Sequence, residues 1–127
     1  MGKKFIATSS YSGHIVGDDE KMAALARGLI DNPFGLLLVT GEPCNGMIGV
    51  LAFQHPMSGQ IVSSEMFWWV EPDVRGQGVR LLRAAEEWAR SVGSERMMMI
   101  APDDRVGEFY ERVGYERVET TWMRRLT

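Results

Sequence analysis

Residues Val70 to Trp88 read VEPDVRGQGVRLLRAAEEW. The segment leaves an apolar stretch, turns at Pro72, crosses an arginine and glycine run, and enters a helical pattern. Leu81, Leu82, Ala85, Trp88, Ala89 and Val92 recur at helical spacing, which predicts a helix over Gly78–Val92 ended by Gly93. A helix start carries free backbone N–H groups and a partial positive charge, and both suit a phosphate. Gly76 and Gly78 place no Cβ in the way of a ligand, and Arg75 and Arg80 add full charges. The turn therefore reads in two ways: as a pyrophosphate cradle, or as a plain strand-to-helix loop whose glycines serve geometry.

Working outward, the strands come first. IVSSEMFWWV, Ile61–Val70, is a strand with apolar residues on both faces of its second half. Gly35–Thr40 and Met47–Gln54 flank the turn GEPCNG and predict a hairpin with a longer loop. A short strand is expected over Lys4–Thr8. GDDEKMAALARGLIDNP is expected to be a helix, capped by Asp18 or Asp19, with Met22, Leu25, Ala26, Leu29 and Ile30 on one face. Downstream, RMMMIA, Arg96–Ala101, has strand length, and Asp104–Val113 forms a helix stopped by Gly114. YERVETTWMRRL is expected to close the fold as a last strand, its mixed charges suiting a solvated edge. The unit from Glu65 to Ala101 should be a parallel strand–helix–strand crossover. The order predicts an α/β (α+β) fold: a mixed, mostly antiparallel sheet with a central parallel strand pair and flanking helices.

Composition narrows the function. The chain has 127 residues, 45% hydrophobic and 24% charged, which suits a single domain spanning residues 1–127. Net charge is −3 and the pI is about 5.4, which argues against nucleic acid as the main partner. No apolar run reaches the length of a membrane span, and MGKKFIATSS has no secretory pattern. Cys44 is the single cysteine, so a cytoplasmic, reducing setting is expected. His14 and His55 stand apart, and no metal site is expected. The nine methionines read mainly as flexible core filler.

No P-loop is present, and the dinucleotide fingerprint fails at Leu81. The pattern V-x-P-x-x-R-G-x-G from Val70 to Gly78, followed by Leu-Leu and E-x-x-A-R, resembles motif A of the GNAT N-acetyltransferases. FYERVGY, Phe109–Tyr115, resembles their motif B, and the order of elements is similar from about Phe34 onward. Three departures stand out, one of them the N-terminal part, which is short and shows little of the family pattern. Arg80 occupies the last small-residue position of the signature, and Asp103 stands where relatives often carry Asn.

The resemblance implies a GNAT-like fold with acetyl-CoA or coenzyme A as co-substrate. It implies an N-acetyltransferase acting on a primary amine of a small molecule or protein by direct transfer. Pyrophosphate would lie on Arg75, Gly76, Gln77, Gly78, Val79 and Arg80, and pantetheine beside Trp68, Trp69 and Val70. Tyr110 would serve the leaving thiolate. Glu65, an acid inside an apolar strand, is the candidate base, because burial raises a carboxyl pKa. A homodimer is compatible with the resemblance. The competing reading is a non-catalytic CoA-binding or protein-interaction module with the same fold, motivated by Arg80 and Asp103. A toxin acetylating charged tRNA would need a basic surface, against which the acidic pI counts.

Overall fold

The computed structural model describes residues 2–8 and 13–127; Met1 and Ser9–Ser12, part of the opening stretch read for a leader, lie outside the described residues. Its elements run α1 (Gly2–Thr8), α2 (Asp19–Asp31), β1 (Gly35–Thr40), β2 (Gly46–Gln54), β3 (Ile61–Val70), a 3-10 turn at Pro72–Val74, α3 (Gly76–Ser91), β4 (Arg96–Met98) and α4 (Asp104–Arg112). The sheet order is β1-β2-β3-β4. The first three strands are antiparallel, and β3 and β4 are parallel. This is the mixed sheet expected from the sequence.

The alternation of side chains divides the core between the two faces of the sheet. On one face Ile48, Val50 and Val70 pack with Leu81 and Ala85 of α3, joined by Leu36, Leu38, Trp68, Met97 and Met99. On the other, Met47 and Phe67 meet Leu29 of α2, joined by Phe5, Leu37, Leu51 and Trp69. Trp68 and Trp69 therefore point oppositely, and each supports a different layer. Gly49 makes room for this packing. A Cβ there would clash with the ring of Phe67, its cross-strand partner.

α2 begins where the sequence indicates, with the Asp18 carboxylate accepting from the Lys21 amide at 3.0 Å. Its inward stripe is narrower than expected. Leu29 is buried, whereas Ile30 is largely exposed.

Two expected strands are absent. Residues 4–8 belong to helix α1, and Phe5 meets Phe67 edge-on at 6.4 Å between ring centroids. An apolar run this short does not distinguish strand from helix by its period. Packing under β3 decides the matter. At the other end, residues 116–127 form no strand, and every one is exposed. The parallel pair consequently lies at a margin of the sheet, with β4 as an edge strand. β4 also stops at Met98, three residues before Ala101, because β3 and β4 part there. α3 starts at Gly76, two residues before the expected Gly78.

Candidate active site

β3 is ten residues long but pairs with β4 only through Val62, Ser63 and Ser64. Beyond Ser64, β3 keeps β2 on one side and has no strand on the other. The cause lies partly in an irregularity opposite Gly49 and Val50, where Phe67 pairs with Gly49 but Glu65 pairs with Val50. Met66 is the extra residue. A β-bulge of this kind bends the strand and breaks its simple alternation. It carries Glu65 to the face of its partner Val50, the same face that holds Trp68 and Val70. Strict alternation from Trp68 would have turned Glu65 to the opposite layer.

Glu65 is only 7% exposed. Its Oε1 accepts from the Ile100 amide at 3.2 Å, across the gap that opens where β4 ends. Burial pushes its carboxyl pKa from 4.5 up to about 7, and the Ile100 hydrogen bond offsets part of that rise. Tyr110, on α4, reaches the same residue from the other direction. Its hydroxyl donates to the Ile100 carbonyl at 3.0 Å. Burial, and then the charge of Glu65, hold its phenol well above the ordinary range, so it stays a neutral donor. The ring stacks against Trp68 at 6.0 Å and 25°. Tyr115 lies 5.4 Å from it, centroid to centroid, and donates to Glu86 of α3 at 2.7 Å. Both backbone polar groups of Ile100 are thus held by the two side chains singled out in the sequence.

The open margin of β3 has usable donors. The Glu71 amide donates toward β2, to the Asn45 carbonyl at 2.8 Å. Successive amides of a strand face opposite sides, so those of Val70 and Trp68 face the open margin.

The turn after β3 separates the roles of its residues. No side chain caps α3, and no acid lies in its first turn. α2 and α4, by contrast, are capped by Asp18 and Asp103 and carry acids in their first turns. The amides of Gly76 and Gln77 at the start of α3 thus have no side-chain cap. A Cβ on Gly76 would meet nothing within 4 Å, so the backbone there is open to a ligand. Gly78 does something else. A Cβ there would stand 3.1 Å from Val70 Cγ2 and 3.4 Å from Trp68 Cζ2. Its amide bonds the Arg75 carbonyl at 3.0 Å, and its carbonyl accepts from the Trp68 indole at 3.2 Å. Gly78 seats α3 on β3.

Arg75 and Val79 are exposed. Gln77 and Arg80 turn toward a groove shared with Leu38, Val39, Thr40 and Gly41 on the β1 side. The flank of α3 facing Tyr115 instead carries Arg83, Glu86 and Arg90. Sequence reasoning missed Ile100, whose contribution is entirely backbone. Asp103 caps α4, accepting from the Val106 amide at 2.9 Å, which explains an acid at that position. Among the described residues no group of three His, Cys, Asp or Glu could hold a metal ion.

The chain resembles known proteins in sequence and fold. Residues 6–115 match the model of the acetyltransferase (GNAT) family. No curated protein matches the chain. Among solved structures, a transcriptional regulator from Bacillus halodurans C-125 superimposes with a TM-score of 0.75 at 17% identity, over 97% of this chain and 89% of that one. An aminoglycoside antibiotic 6'-N-acetyltransferase from Acinetobacter haemolyticus gives 0.70 at 15%, over 99% and 90%. A ribosomal-protein-alanine N-acetyltransferase from Brucella melitensis biovar Abortus 2308 gives 0.64 at 18%, over 98% and 90%. At these identities the likeness speaks for the fold.

Proposed function

Because the chain belongs to the GNAT acetyltransferase family, we propose that it moves the acetyl group of acetyl-CoA directly to a primary amine of a small molecule or protein. The observation that carries this reading is the convergence of Glu65 and Tyr110 on Ile100, at the point where β3 and β4 separate. The residues fit the co-substrate. The uncapped start of α3, at Arg75, Gly76 and Gln77, suits pyrophosphate. The open margin of β3, with the Trp68 and Val70 amides, suits a pantetheine arm laid down like an added strand. When bound, acetyl-CoA supplies the activated acyl carbon and a thiolate leaving group.

The chain's own residues meet the remaining needs. An amine near pKa 10 must lose a proton before it can attack. Glu65, with its carboxyl near 7, is ionised for a useful fraction of the time at neutral pH and takes that proton directly or through water. The Val70 amide on the open margin stabilises the developing oxyanion. Tyr110 stays neutral and gives a hydrogen bond to the departing sulfur, and to do so its hydroxyl leaves the Ile100 carbonyl. Arg83 and Arg90, on the flank near Tyr115, add positive charge beside the site.

Among the described residues no helix is long and apolar enough to cross a membrane. A single cysteine, Cys44, can form no disulfide within the chain, and we place the protein in a reducing cytoplasm on that ground. The acidic pI supports an acceptor other than nucleic acid.

Thermal unfolding with acetyl-CoA, CoA and NAD is the first test. A ligand at a hundred times its Kd adds about 2.7 kcal/mol to a fold that alone binds it. Both CoA forms should raise the midpoint and NAD should not. Thiol release with a panel of amines follows. Binding without turnover on any amine would favour the non-catalytic module, and no shift with either CoA form would overturn the proposal.

A further inference from the structure

Transfer requires the Tyr110 hydroxyl to leave the Ile100 carbonyl, which it holds at 3.0 Å in the free chain. A ring that gives up its hydrogen bond during the reaction needs another hold. A displacement of about 1 Å at a reacting group can cost about 100-fold in rate. Tyr110 is buried among aromatic neighbours. Trp68 stacks on it, with 6.0 Å between centroids and 25° between planes. Phe109, the preceding residue of α4, meets the Trp68 indole edge-on at 6.3 Å and 82°. Tyr115 lies tilted against Tyr110 at 5.4 Å and 47°. Stacking acts on the ring and not on the hydroxyl, so it survives the change of hydrogen-bond partner.

Trp68 is itself fixed from two sides. Its main chain belongs to β3, where it pairs with Ile48 of β2. Its indole N–H donates to the Gly78 carbonyl at 3.2 Å, in the first turn of α3. A half-buried indole N–H needs such an acceptor, and a helical carbonyl has a second lone pair for it. The absence of a side chain at Gly78 lets the indole come this close, since a Cβ there would stand 3.4 Å from Trp68 Cζ2. One side chain therefore links the first turn of α3 to the phenol ring on α4.

We infer that the Trp68 side chain is a positioning residue: it holds the Tyr110 ring in place while the hydroxyl passes from the Ile100 carbonyl to the departing sulfur. The inference rests on the acetyl-transfer reading above, and it adds a side chain that acts through Tyr110 rather than on the substrate. With the indole in place, the ring keeps one position and only its hydroxyl changes partner. Without the indole, the ring has room to shift, and the hydroxyl stays with Ile100, its partner in the free chain.

A double-mutant cycle tests it, with thiol release from acetyl-CoA measured on a diamine, an aminosugar and a peptide with a free amino terminus. Trp68→Leu keeps apolar bulk and loses the stack. Its kcat should fall about 30-fold or more, while the Kd for CoA by calorimetry stays within about threefold. In the Tyr110→Phe background the same change should alter kcat by less than about threefold, because no hydroxyl is left to position. A structural role would lower kcat by the same factor in both backgrounds, and that result overturns the inference. An unchanged kcat with a weakened Kd overturns it equally. Trp68→Phe keeps a ring and loses the hydrogen bond to Gly78; it should lower kcat by about 3- to 10-fold and gives the same comparison where the Leu variant does not fold. Fluorine NMR of the fluorotyrosine-labelled chain reads the ring without turnover. The Tyr110 line, assigned by its loss in Tyr110→Phe, should be single and narrow in the wild type and split or broadened in the Trp68 variants. A line that stays single and narrow in both overturns the inference. A wild type that releases no thiol with any of the three amines overturns the acetyl-transfer reading instead, and the fluorine spectra still decide whether Trp68 holds the ring.

Discussion

Replacing Glu65 with Gln tests whether burial tunes the carboxyl. Gln keeps the size and an oxygen that can accept from the Ile100 amide, and it loses only the titration. In the folded chain the Glu65 pKa is about 7, against 4.5 when unfolded. Between those values the native state binds more protons than the unfolded one, so stability falls as pH rises. The contribution of the protonated group is fully present below pH 4.5 and is lost by the time pH passes 7. A shift of this size corresponds to about 3 kcal/mol, at 1.36 kcal/mol for each pH unit. Most of it falls between pH 5 and pH 8. Urea unfolding of wild type and Glu65→Gln at both values isolates the effect, because other titrating groups cancel in the difference. The variant should gain on the wild type by between about 2 and 3 kcal/mol from pH 5 to pH 8. Turnover should move the other way: the wild-type rate should rise through pH 7 and the variant should lose that limb. A stability difference that is flat with pH would mean the carboxyl titrates normally, and the argument for a base poised near neutrality would fail.

Other changes separate chemistry from architecture. Tyr110→Phe removes the hydroxyl held at the Ile100 carbonyl; stability should fall by about 1 kcal/mol, while kcat falls on the order of 100-fold or more with CoA binding retained. Gly78→Ala drives a methyl against Val70 and Trp68 and should cost about 1–3 kcal/mol in denaturant titrations. Gly76→Ala meets no neighbour, so its unfolding midpoint should stay near wild type while calorimetry shows weaker CoA binding. Asp103→Ala removes the α4 cap and should cost about 1 kcal/mol, with the Kd for CoA unchanged.

The expected and observed elements differ for local reasons. β1, β2, β3, α2, α3 and α4 were legible because each carries a sustained apolar period or a cap within its own residues. Residues 4–8 gave too few positions to separate one period from another, and their state depends on Phe5 finding Phe67. The last strand was legible as a pattern in residues 116–127. A strand forms only beside another strand, and residues 116–127 pair with none. At the site, Tyr110 and the α3 turn could be read from motif spacing. Ile100 could not, because a backbone amide and carbonyl leave no mark in a sequence.

The sequence by itself determined the order of elements from α2 to α4, the family and the candidate groups, since these depend on residue type and spacing along the chain. Tertiary structure decided which way those groups face. The extra residue at Met66 turned Glu65 from one layer to the other, and the end of the β3–β4 pairing opened the gap it shares with Tyr110. It also divided the glycines of the turn, leaving Gly76 open and committing Gly78 to packing. Burial raised the Glu65 pKa, and burial is a property of what surrounds a residue in space. Bulges, strand divergence and desolvation arise between segments far apart in the chain, so no local pattern encodes them.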